Sequence, residues 1–69
     1  MKTSQQISMA IAFKNETKAS VAKKIGMTRQ NFCMKLKRES FTREELEMIA
    51  SALGCRFYAY FEFDDGTKV

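Results

Sequence analysis

Sixty-nine residues, with 12 bases against 8 acids and no histidine, suffice for one small domain and leave no room for a second core. No apolar run approaches the ~18 residues that span a membrane, and Met1-Lys2-Thr3-Ser4 lacks the apolar stretch of a signal peptide, so the expected location is cytoplasmic. Cys33 and Cys55 stand far apart with no histidine for company, which argues against a zinc site and for free reduced thiols.

Thr3-Ser4-Gln5-Gln6 has the form of a capping box and predicts a first helix in which Ile7, Ala10, Ile11 and Lys14 recur at helical spacing, with Phe13 beside them and an end near Asn15. From Thr17 to Lys37 the chain reads as two short helices hinged at Gly26. Val21, Ala22 and Ile25 share one face of the first, and alanine at that point lets another helix cross closely without lowering helix propensity. Gly26 ends it by taking left-handed backbone at no Cβ cost. Met27 is an apolar plug and Thr28 an N-cap, so a helix restarts within about three residues.

At about 100° per residue, Phe32 and Leu36 define the inward face of this restarted helix. Opposite them lie Gln30, Met34 and Lys37, flanked by Asn31 and Cys33, in a long-armed stripe free of acid. Arg29 occupies the first turn, where it can reach a phosphate or a base edge. Arg38-Glu39-Ser40 is a short polar loop. Thr42-Arg43-Glu44-Glu45 repeats the capping box, with Phe41 placed to staple onto Leu46. Leu46, Ile49, Ala50 and Leu53 then form the apolar stripe of a last helix, closed by Gly54.

Beyond Gly54 the period changes to two. Cys55, Phe57, Ala59, Phe61 and Phe63 alternate with Arg56, Tyr58, Tyr60 and Glu62, which predicts a strand. Five of the eight aromatic residues lie between Phe57 and Phe63, so this strand carries a large apolar load. Asp64-Asp65-Gly66 is turn chemistry, but Thr67, Lys68 and Val69 are too few for a substantial return strand. An unpaired strand exposes backbone groups, and the favoured expectation is pairing with a second copy through Phe57, Tyr58, Ala59, Tyr60, Phe61 and Phe63. The alternative is an edge folded back on its own helices, with a short hairpin at its tip.

Charge divides along the chain. Lys14 to Arg38 holds eight bases and the single acid Glu16, a net +7, whereas Glu39 to Val69 holds seven acids and three bases, a net −4. The basic half coincides with the hinged pair, as a phosphate-facing surface requires, although a solvated lysine-rich surface is the plainer explanation of charge alone.

Residues from about Gln6 to Gly54 resemble the Cro/repressor-type, Xre-like or lambda-repressor-like helix-turn-helix domain. The resemblance rests on Thr17-Lys18, Val21-Ala22, Gly26-Met27-Thr28, Phe32, Leu46, Ile49-Ala50 and Ala52-Leu53-Gly54. It implies a mainly α, four-helix domain over residues 1–54. The C-terminal strand and tail, 55–69, then serve dimerisation, as in Cro variants whose terminal strand joins the subunits. By position, Lys18 becomes a phosphate clamp, and Thr28, Arg29, Gln30, Cys33 and Met34 face the bases of double-stranded DNA. Asn31, Lys35, Lys37 and Arg38 complete the expected phosphate contacts. One departure is that the family's last apolar residue in this helix falls where Lys35 stands, with Leu36 one place later.

The expected function is therefore transcriptional regulation, as a homodimeric repressor on a palindromic operator. A protein-interaction module or antitoxin using the aromatic strand is the main alternative. Binding to RNA is disfavoured because the aromatics and the bases occupy different segments. With no histidine, no glycine-rich phosphate loop and no acid pair in the basic region, an enzyme is the least expected reading; no cofactor, metal or small-molecule ligand is expected.

Overall fold

The computed structural model describes residues 2–59 and 61–69, so neither Met1 nor Tyr60 enters the description. Among the described residues four helices follow one another: α1 Thr3–Phe13, α2 Lys18–Lys24, α3 Arg29–Arg38 and α4 Arg43–Ala52. α2 is the hub, lying against α1, α3 and α4.

Local chemistry sets the helix starts. The side chains of Thr17, Thr28 and Thr42 accept the backbone N–H of Ser20, Asn31 and Glu45, each meeting one of the orphan donors of a first turn. At α1 the cap lies one residue earlier than the Thr3 pattern predicts: Lys2 is the N-cap, and the Gln5 side chain accepts its N–H at 3.0 Å. A glutamine at N3 can close the turn by itself, so the threonine is not needed as a cap.

The helix ends share one device. Asn15, Gly26, Glu39 and Gly54 all have positive φ. The N–H of the residue after each reaches back to a carbonyl in the last turn, Glu16 to Ile11, Met27 to Ala22, Ser40 to Lys35 and Cys55 to Ala50, at 2.8–3.0 Å. These are Schellman closures, and they satisfy carbonyls that would otherwise be left open. Gly26, at φ +78°, makes the hinge of the α2–α3 pair in this way.

The core is apolar throughout: Ile7 and Ile11 from α1, Val21 and Ala22 from α2, Ile25 behind it, Phe32 and Leu36 from α3, and Ile49 with Leu53 at α4. Val21, Ala22 and Phe32 are completely buried. Ala22 thus allows the close approach of α3 that its small side chain predicts. Phe41 and Leu46 both pack on this core, and the Phe41 ring lies 5.2 Å from that of Phe32 at 60°, a tilted aromatic pair. Phe13 departs from expectation. It is 84% exposed, because two positions past the buried Ile11 is about 200° of helix rotation, which points the ring away from the core.

The C-terminal strand expected over Cys55 to Phe63 is not formed among the described residues. Residues 55–59 run without regular structure, with Phe57 half-buried and Tyr58 exposed. The tip is a minimal hairpin. Glu62 and Lys68 make one antiparallel bridge. Phe61 and Val69 exchange backbone hydrogen bonds, and the Phe63 carbonyl and N–H face the turn, the N–H donating to the Thr67 carbonyl. The turn between them is Asp64-Asp65-Gly66, with Gly66 at φ +89° and the Thr67 N–H held by the Asp65 carboxylate. This is the three-residue hairpin loop that needs a left-handed third residue. Three residues therefore suffice for a short return. Period-two alternation supplied the faces of a strand, but a strand also needs a ladder partner, and residues 55–59 have none among the described residues.

A radius of gyration of 13.0 Å and extents of 42 × 24 × 19 Å exceed the ~11 Å radius of a compact chain of this length. The excess belongs to the tail, where Tyr58, Phe61, Phe63 and Val69 are all exposed.

Candidate nucleic-acid interface

α3 is fixed to the body by Phe32 and Leu36, which rotates the opposite side of the helix into solvent. Thr28, Arg29, Gln30, Asn31, Met34, Lys37 and Arg38 are all exposed. α3 carries no acid, and three bases, Lys35, Lys37 and Arg38, occupy its last turn, where they also oppose the negative end of the helix dipole. Leu36, one place later than the family's last apolar residue, points inward and is 8% exposed.

Three predicted residues have more particular surroundings. Cys33 is half-buried and lines a shallow depression of about 660 Å³ shared by Ser4, Gln5, Ser8 and Met9 of α1, Lys18 of α2, and Leu36 with Lys37 of α3. It stands at the inner margin of the stripe, whereas Gln30 and Met34 stand at its crest. Lys18, exposed at the start of α2, adjoins the same depression. That Gln5 and Ser8 line this depression was not legible in the sequence, because nothing local ties the first helix to the third.

Lys35 is the third. Its ammonium meets the Glu45 carboxylate of α4 at 2.5 Å, with side chains 27% and 17% exposed. The other Glu45 oxygen accepts the Thr42 N–H at 2.9 Å. One carboxylate thus closes the capping box of α4 and ties α3 to it. This resolves the departure at position 35: the side chain faces the body, where the family has an apolar residue, and its charge is met there. To contact phosphate Lys35 has to leave this partner.

The Lys35 hydrogen bond, followed by the Thr42 backbone donor, holds the Glu45 carboxyl below its ordinary value of 4.5. A carboxylate with a lowered folded-state pKa contributes stability that is present above the unfolded value and is lost as pH falls through the folded one. Thermal stability should therefore decline below about pH 4.5, and Glu45→Gln should make that decline shallower. Melting temperatures taken across pH 3 to 7 for both proteins, roughly the range over which carboxylates titrate, check this; parallel curves would remove Glu45 from the account.

Lys24 is paired with Glu16 beside α2, so it is a less available cation than Lys18, Lys37 or Arg38, for which no ion pair is found among the described residues. Among the described residues, no helix is long and apolar enough to cross a membrane.

A hinged helix pair with an anchored, acid-free second helix is matched by the comparison with protein families. The model for the Cro/C1-type HTH DNA-binding domain covers residues 6–63. The chain belongs to this family. In a helix-turn-helix pair it is the second helix that enters the major groove. No curated protein and no solved structure matches the chain significantly. The chain is thus a DNA-binding regulator by family, and its particular readout rests on its own side chains.

Proposed function

We propose that this Cro/C1-type domain is a non-catalytic, sequence-specific transcriptional repressor that binds a palindromic operator as a homodimer. The observation that carries the reading is the exposed, acid-free face of α3, held outward by two buried anchors on its opposite side. Gln30 is the principal base reader, since a glutamine amide pairs bidentately with adenine; Arg29 makes the equivalent contact to guanine. Thr28, Cys33 and Met34 border these contacts. Lys18, Lys37 and Arg38, with Asn31, bind phosphates and give sequence-independent, salt-sensitive affinity. Lys35 joins them only on release from Glu45.

One helix-turn-helix reads half a site. The supporting feature for pairing is the C-terminal hairpin, which exposes Phe61, Phe63 and Val69, an apolar load that a lone two-stranded hairpin cannot stabilise in water. Two chains joined through residues 57–63 would set their recognition helices about 34 Å apart, one turn of DNA. Tyr60, part of that expected interface, lies outside the described residues. A chain cut after Gly54 should sediment as a monomer, and a truncated chain that stays dimeric would rule out pairing through the tail.

Selection of bound sequences from a random DNA pool at two salt concentrations tests the whole reading. A palindromic consensus is the expected result. Absence of enrichment would instead favour the tail's exposed aromatics as a docking surface for a different protein, the interaction-module or antitoxin alternative.

A further inference from the structure

The acid that follows the recognition helix occupies an unusual backbone. Glu39 closes α3 at φ +53°, a left-handed conformation that is strained for a residue with a Cβ. Its carboxylate reaches 35 positions back along the chain to the start of α1, where Oε2 accepts the Ser4 backbone N–H at 3.1 Å and Oε1 accepts the Ser4 hydroxyl. That N–H is one of the first-turn donors of α1 that no carbonyl within the helix can satisfy. The carboxylate also stands at the positive end of the α1 dipole.

The last turn of α3 is therefore held on two sides by carboxylates: Glu39 ties it to the start of α1, and Glu45 of α4 holds Lys35. Phe32 and Leu36 hold its inner face by apolar packing, which has little directional preference. Hydrogen bonds are directional, so they restrict tilt and rotation where packing does not. We infer that Glu39 is a positioning residue for DNA recognition: by capping α1 it fixes the tilt of α3, and with it the register of Arg29 and Gln30 on the base edges.

This rests on the DNA-binding reading, and the test separates the two. Binding of the full chain is measured to the sequence selected by the wild type and to a scrambled duplex, with melting temperatures alongside. Glu39→Gly keeps the left-handed closure at no steric cost but loses the carboxylate. Glu39→Asn tolerates the same backbone and is one methylene shorter. Glu39→Gln retains length and an acceptor. The glycine and asparagine variants should lose selected-sequence affinity roughly two- to thirty-fold, a span typical of residues acting at a distance on a binding site, while glutamine keeps most of it.

The sign is decisive, because removing an acid near phosphates should by charge alone tighten binding to both duplexes. A folded glycine or asparagine variant that discriminates as well as wild type would overturn the proposal alone. Wild type that selects no sequence would overturn the DNA-binding reading and the proposal with it.

Discussion

Phe32→Ala is expected to leave the chain largely unfolded at ambient temperature. Phe32 is completely buried, sits at the junction of the helices and stacks obliquely on Phe41. Truncating such a side chain typically costs about 3–5 kcal/mol, from lost transfer energy and the cavity left behind. The whole stability of a domain of this length is about 3–10 kcal/mol at the usual value per residue. The core has few means of compensating, since only ten apolar residues are buried among those described. Circular dichroism with thermal and urea unfolding reads the loss; an alanine variant with a melting temperature within a few degrees of wild type would show that the core does not centre on Phe32. Because α3 owes its orientation to this anchor, DNA binding should disappear with the fold.

Gln30→Ala should do the opposite, leaving stability unchanged while altering sequence preference. Gln30 is exposed on the crest of α3 and neither buries surface nor caps a helix end. Removing a bidentate base pairing takes away about 1–3 kcal/mol of discrimination per half-site at one position. Lys18→Ala is the contrast: it should weaken all sequences nearly alike and lower the salt slope by about one for each phosphate it leaves unneutralised. Affinities for the selected site, its single-base variants and a scrambled duplex, at two salt concentrations, distinguish these outcomes. Uniform weakening by Gln30→Ala would remove it from the set of base readers.

The two variants separate what the helix-turn-helix pair needs to exist from what it needs to read. Anchors on one side of α3 and the exposed, acid-free stripe on the other are spaced by helical periodicity alone, so both were legible before any fold was known. The same holds for the threonine caps, the hinge at Gly26 and the charge division, all local in sequence. The cap at Lys2 shows the limit of that legibility: two overlapping patterns one residue apart compete, and the difference between them is small.

The chain by itself thus determined four helices, which faces are buried, where the basic surface lies and the family to which it belongs. Tertiary structure decided the rest, because the deciding interactions join residues remote in sequence. It turned Lys35 toward Glu45 and away from the stripe. It brought Gln5 and Ser8 of α1 beside Lys18 and Lys37, and sent the Glu39 carboxylate to the start of α1. It also decided the aromatic tail, where alternation predicted a strand across Cys55 to Phe63 and, among the described residues, the bridge Glu62 to Lys68 is what formed. A helix satisfies its backbone within its own segment, so its pattern is sufficient to place it. A strand depends on a partner's backbone, and period-two alternation names the faces without naming the partner.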